Sequence, residues 1–291
     1  MKKNYSMKKK SPKNISFETY KIQIMEKYNN LLTENIKDES IFQLFFENNP
    51  SFLPGALILL GHSGHAPYMN ALISQPNLGN AFNRRPDFLW LASDSIKFCP
   101  VFIEIENPNK KMFTKNKNFT SQFTQAYGQI LEWKSILNKP HNQLSFFDFF
   151  NVSDEIRRKK FEPQYLLIYG RRDEYSRDDF FIGKRAEIAK DDLSIVSYDR
   201  LYPIDGYSQF VTCKVKDKNY EVIGIPPTYR YMPMFAEELS KYLNFKSAIL
   251  KMEMTTEERK KFLLERYDYW KVFGKKKKGN GLSLLDTGDS E

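Results

Sequence analysis

Three observations predict a mixed α/β fold with a central sheet flanked by helices. The hydrophobic period changes along the chain: it is helical before residue 50 and over 120–138, and of strand length over 87–106, 164–170 and 193–197. The resulting order (helix, hairpin, helix, strand, helix, strand) places one mixed domain over roughly 46–202. Hydrophobic residues at 41% and aromatics at 15% of the 291 positions supply a packed core and exclude disorder of the whole chain.

Residues 1–14 (MKKNYSMKKKSPKN) are expected to be a basic flexible tail, and 15–45 an N-terminal helical segment. Ser16 suits an N-cap, Glu18 follows it, and Ile22, Met25 and Tyr28 keep helical spacing. A second helix over Glu39–Asn48 places Ile41, Leu44 and Phe45 on one face and stops before Pro50. Leu60–Asn80, rich in Gly, His, Ser, Pro and Asn, reads as a long loop. Asp87–Leu91 and Lys97–Glu106 read as the two strands of a hairpin turning at Ser93–Ser95. Alternation puts Val101, Ile103 and Ile105 on one face of the second strand and Phe102, Glu104 and Glu106 on the other. A basic loop, Asn107–Phe119, leads to a helix over Thr120–Asn138, a buried strand at Gln164–Gly170, a mostly helical stretch at Arg172–Lys190 and a strand at Leu193–Ser197. Residues 203–272 read as an extension with strands at Gln209–Val215 and Tyr220–Ile225 and helices at Pro233–Leu243 and Thr255–Val272. Residues 273–291 read as a second flexible tail.

The net charge of +9 is unevenly placed: residues 1–14 contribute +6 and 271–291 contribute +2, leaving +1 for the body. Bulk charge therefore does not make the folded body a nucleic-acid binder; local clusters must do so. Cys99 and Cys213, the only cysteines, exclude a disulfide framework and a cysteine-based zinc site. No apolar run reaches the roughly 18–20 residues of a membrane span, and the basic N-terminus has no apolar segment behind it. A soluble, cytoplasmic protein without membrane partners is expected. The chain has no G-x-x-x-x-G-K-[ST], hence no nucleotide cofactor, and no G-x-S-x-G nucleophile elbow. His62 and His65 lack partner thiols or an obvious carboxylate and are assigned to loop or capping roles.

The informative segment is Arg84–Trp133. Glu104 and Glu106 lie on one strand face, roughly 6.5–7 Å apart along the strand, and the hairpin brings Asp87 alongside them. Carboxylates that converge against apolar residues repel one another unless a cation sits between them. All-oxygen ligands suit Mg²⁺ or Mn²⁺, which would also take the Ile105 carbonyl and lower the pKa of a bound water, as phosphodiester hydrolysis requires. Paired glutamates at a solvated strand end are commonly inert; the neighbourhood argues otherwise. Lys110, Lys111, Lys115 and Lys117 follow with no intervening acid, and Arg84 and Arg85 closely precede Asp87. An acidic centre flanked by cations is the pattern expected where a polyanion meets a metal.

Pro86–Asp87 followed by Glu104-x-Glu106 resembles the PD-(D/E)xK nuclease signature. The fuller string RRPDFLW, FIEIENPNKKMFTK, QAYGQILEWKSIL, YLLIYGRRDEY, KRAEI and SIVSYDRL resembles the Shedu family of bacterial anti-phage defence nucleases, over roughly Asn48–Leu201. The resemblance implies a restriction-endonuclease-like core, Asp87 and Glu104 as metal ligands, Gln129 beside the site, double-stranded DNA as substrate and a homo-oligomer. It departs at Glu106, where the motif has lysine; Glu106 is then a third ligand or a general base. Lys110 or Lys115 can replace the lost positive charge, and Lys115 is favoured because Phe113-Thr114-Lys115 follows the subfamily pattern.

Gln129 also sits in a polar stripe with Gln122 and Gln125 that could be a wet face, and Trp133 suits core packing. Arg171 and Arg172, at a strand end, either contact phosphate or pair with Asp173 and Glu174. The expected function is a Mg²⁺-dependent DNA endonuclease. The alternative is a lapsed nuclease fold that serves as a DNA-binding or assembly module held by its lysine tails.

Overall fold

A computed structural model describes residues 5–8, 10–34, 38–57, 65–78, 85–175, 178–276 and 289–291. In chain order the elements are α1 (Phe17–Thr33), α2 (Glu39–Asn48), β1 (Ala71–Ser74), β2 (Phe88–Ser93), β3 (Lys97–Ile105), α3 (Ser121–Leu137), α4 (Pro140–Phe149), α5 (Asp154–Arg157), β4 (Lys160–Phe161), β5 (Gln164–Ile168), α6 (Asp179–Ile188) and β6 (Leu193–Val196). They continue with β7 (Val211–Lys216), β8 (Asn219–Gly224), α7 (Ala236–Lys241), β9 (Tyr242–Leu243), α8 (Phe245–Leu250) and α9 (Glu257–Lys276). The strands form one mixed sheet in the order β6-β5-β3-β2-β1-β7-β8-β9, with β4 also on β3. The predicted mixed sheet flanked by helices is therefore present, with the β2–β3 hairpin near its middle.

Alternation along β3 sends Val101, Ile103 and Ile105 into a core shared with α1 and α2, and Phe98 and Phe102 into a core shared with α3, α4 and the C-terminal helices. Both long N-terminal helices start on side-chain caps: the Ser16 hydroxyl accepts the Thr19 N–H at 3.1 Å, and the Asp38 carboxylate accepts the Ser40 N–H at 2.9 Å. Their buried faces differ from expectation. Helix α1 buries Tyr20, Ile24, Tyr28 and Leu32 and leaves Ile22 70% exposed. Helix α2 buries Phe42, Phe45 and Phe46 and leaves Leu44 58% exposed. The aromatic rings decide the rotation, because Tyr28, Phe45, Phe46 and Phe52 pack on one another with centroids 5.0–6.3 Å apart.

Two further differences matter for the layout. Within the stretch that reads as a loop, of which 60–64 and 79–80 lie outside the described residues, Ala71–Ser74 form β1, only four residues long but wholly buried between β2 and β7. The segment 203–272, which reads as an extension, supplies β7–β9 to the same sheet, and β7 runs parallel to β1.

The ends of the chain are not simple tails where they are described. Tyr5 packs between Trp270 and Phe273 of α9 and donates its hydroxyl to Asp289 at 2.5 Å. The buried Glu291 carboxylate pairs with Arg266 and accepts Trp270 Nε1–H at 2.6 Å and the Lys8 N–H at 2.7 Å. Backbone hydrogen bonds of 2.8 and 3.0 Å join Glu291 to Tyr231. Arg259 reaches the Pro12 carbonyl at 3.1 Å.

Candidate active site

The β2–β3 register pairs Phe88 with Ile103, which sets Asp87 opposite Glu104 at the end of the hairpin, on the same sheet face. The Asp87 carboxylate accepts the Ile105 N–H at 2.9 Å and shares a hydrogen bond with the Glu104 carboxyl. Glu104 is only 8% exposed, and its Oε2 is buried without a hydrogen-bond partner. Just beyond the strand, Glu106 forms an ion pair with Lys110. A fourth acid, Glu39, arrives from the first turn of α2. It is hydrogen-bonded to Glu106, accepts the Asn107 N–H at 3.1 Å and lies 3.7 Å from Lys110 Nζ.

Crowding away from water shifts the titration of Asp87, Glu104 and Glu39. Burial pushes Asp87 up to about 7, with Glu39 and Glu106 adding to it and the Ile105 N–H opposing it. Burial, then the charges of Asp87, Glu106 and Glu39, hold Glu104 well above the carboxylate range. Glu39 is raised by burial and by Glu106. Burial works against the Lys110 ammonium, but Glu106 and Glu39 outweigh it and raise its pKa. The centre is thus a proton-sharing acid pair beside a second acid pair bridged by one ammonium.

For a divalent cation the donor chemistry fits. Asp87 and Glu104 are hard oxygen donors, their mutual repulsion is what a cation relieves, and Glu104 Oε2 is an orphaned buried acceptor. Among the described residues, however, no group of three or more His, Cys, Asp or Glu has the geometry of a cation site, so a third ligand would require rearrangement around Glu106 or Glu39.

The family described as Shedu protein SduA, C-terminal, has a sequence model that matches residues 36–202, more than half of the chain. The chain belongs to the Shedu family. That membership places it among anti-phage defence proteins. No curated protein matches the chain significantly. The Shedu match takes in all four acids, Lys110 and Gln129, and every strand from β1 to β6; β7–β9 lie outside it.

Other positions within the Shedu region fall into distinct surroundings. Gln129 is buried while Gln122 and Gln125 are exposed, so it leaves the wet stripe. It sits one turn before Trp133, which packs 6.1 Å from Phe102, two residues from Glu104 on the same face of β3. Ile105 contributes its N–H to Asp87 and its side chain to the core. Lys115 is exposed at the tip of a turn closed by the Phe113–Phe119 bridge, and the ammonium among the acids is that of Lys110. Lys117 lies 3.4 Å from Asp178, and Lys111 is exposed. Arg171 forks onto Asp199 with both contacts at 2.8 Å and also reaches the Leu32 carbonyl, which fixes it structurally. Asp199, not Asp173 or Glu174, is its partner, and Asp199 also takes the Arg172 N–H at 2.6 Å. Glu174 instead accepts the N–H groups of Met112 and Phe113 at 3.0 and 2.9 Å and pins the basic loop. The side chains of Arg85 and Arg172 are exposed; Arg84 and His62 lie outside the described residues.

Glu39 was missed. It follows the N-cap Asp38, where an acid is accounted for by the helix dipole alone, and it stands far in sequence from the hairpin motif. Its one available signal was position: the first turn of the helix that precedes the hairpin strands.

Proposed function

We propose that this Shedu chain is a metal-dependent endonuclease that hydrolyses phosphodiester bonds in double-stranded DNA, on a PD-(D/E)xK-like core. The observation that carries the proposal is the pairing of Asp87 with Glu104, whose buried Oε2 is left without a partner. Such an arrangement costs stability by itself and makes sense as a prepared ligand set. Asp87 and Glu104 would hold Mg²⁺ or Mn²⁺, which when bound polarises the phosphate and acidifies a water. The Ile105 N–H orients the Asp87 carboxylate. Glu106 and Glu39 hold Lys110, whose ammonium supplies the positive charge that the motif places two residues after Glu104. Lys111, Lys115, Arg85 and Arg172 are exposed and would be the cations available to the phosphate backbone. A homo-oligomer, implied by the resemblance, would allow both strands to be cut.

A lapsed site is the second reading, favoured by the ion pair through which Lys110 already occupies Glu106. Of the tails it invokes, residues 5–8 and 289–291 are anchored on α9 and on each other through Ser6, the Lys8 N–H and Glu291, with the Lys8 side chain left exposed.

The test is cleavage of supercoiled, linear and single-stranded DNA in Mg²⁺, Mn²⁺ or EDTA, with wild type beside Glu104→Ala. The expected outcome is metal-dependent cutting that falls by at least about 10²-fold in the variant. Undiminished cutting by the variant overturns the site; DNA binding without cutting under any metal favours the lapsed module.

A further inference from the structure

Tyr198 lies in a short 3₁₀ turn, Tyr198–Arg200, just after β6; it is fully buried, and its hydroxyl makes no hydrogen bond. Its backbone is fixed on several sides. The N–H donates to the Gly170 carbonyl at 3.2 Å, and its carbonyl accepts the Tyr28 hydroxyl and the Leu201 N–H, both at 3.0 Å. Its ring stands edge-on to Phe42 at 5.1 Å and tilts against Phe46 at 6.3 Å. Phe42 is three residues after Glu39 on α2, so Tyr198 packs on the face of the helix that carries Glu39. Burial above all, then Tyr28 and the carboxylates of Glu39, Asp87 and Glu106, keep the phenol protonated and therefore a donor.

A buried hydroxyl without a partner is a cost that phenylalanine would avoid in the same space. Packing alone does not account for the oxygen. The helix it packs on supplies a reason, since a protonated phenol against the face that carries the Glu39 carboxylate is a donor in reserve.

We infer that Tyr198 is a positioning residue for Glu39: its hydroxyl is the donor that holds the Glu39 carboxylate when that group turns away from Glu106. The inference rests on the nuclease reading of the acid cluster. Tyr198 touches no reacting atom; it acts through Glu39, which in turn steadies Lys110.

The experiment compares thermal melts of full-length wild type, Tyr198→Phe, Glu39→Gln and the double variant, in EDTA and in Mn²⁺, with cleavage kinetics alongside. In EDTA, Tyr198→Phe is expected to melt at or above wild type, since it removes an unpartnered oxygen. Mn²⁺ should raise the melting temperature of wild type more than that of Tyr198→Phe, and replacing Glu39 should erase the difference. kcat should fall about tenfold with KM unchanged. Tyr198→Phe melting several degrees below wild type in EDTA would mark a structural hydroxyl and overturn the inference. Equal Mn²⁺ gains in wild type and Tyr198→Phe overturn it while leaving the nuclease reading intact, and an effect that persists beside Glu39→Gln overturns the assignment to Glu39. A wild type indifferent to Mn²⁺ overturns the metal site and takes the inference with it.

Discussion

Asp87 keeps its proton to about pH 7 because burial and neighbouring acids disfavour its charge, although the Ile105 N–H pulls the other way. In the unfolded chain the same carboxyl ionises near its ordinary value of 3.8. A carboxyl raised by folding contributes stability below its unfolded pKa and loses it as pH climbs through the folded one. The metal-free protein should therefore lose stability between about pH 4 and about pH 7, with Glu104 acting in the same direction. Asp87→Asn is expected to flatten this decline and to exceed wild type at pH 8, by on the order of 1–3 kcal/mol. Urea denaturation in EDTA at pH 5 and pH 8 measures it, and identical pH dependence in the two proteins would refute it. At this scale the sequence was informative where chemistry is local. Asp87 and Glu104 were legible because strand alternation and one hairpin fix their relation. Glu39 and Tyr198 were not, since only tertiary packing brings α2 and the turn after β6 to the same place.

At the scale of elements, the basic loop 107–119 is positioned from outside itself. Glu174 pins Met112 and Phe113, and Gly170, at φ +62°, comes so close to the Lys110 carbonyl that an added Cβ would stand 3.0 Å from it. The end of β5 and the turn behind it thus dictate where Lys110 enters, and Lys115 is left at the exposed tip. Lys110→Ala should then reduce cleavage by about 10²-fold, as loss of a charge-stabilising group does, and Lys115→Ala by less than about threefold. Parallel single-turnover assays decide this; the reverse ranking would restore Lys115. Element type was read well from period and caps, and element rotation was not. The spacing of Ile41, Leu44 and Phe45 fits a helix face as well as Phe42, Phe45 and Phe46 do. The choice between them depends on rings contributed by Tyr28, Phe52 and Tyr198, which no local pattern contains.

Across the whole molecule, Glu291 ties three regions together. Its side chain is 1% exposed against Arg266 at 9%, and Trp270 and the Lys8 N–H complete its shell. Removing one member of a buried ion pair strands the other, so Glu291→Ala should cost about 3–5 kcal/mol and free the segment before α1. Chemical denaturation combined with limited proteolysis near Lys8 and Lys10 checks both effects. A variant as stable and as protected as wild type would show that the clamp contributes nothing. The charge pattern suggested solvated tails because a lysine-rich stretch gives no sign of the few residues, Tyr5 and Glu291 among them, that anchor it.

The clamp also has a consequence in time. Lys8 and Glu291 are separated by 283 positions, so during synthesis residues 5–14 leave the ribosome long before their partners exist. Until residues 289–291 emerge, Arg266 and Trp270 have no carboxylate to bind and Tyr5 has no Asp289. A nascent chain can already have built the hairpin and its acids while residues 5–8 still wait for residues 289–291. The clamp is thus a contact that can close only after residues 289–291 have been made.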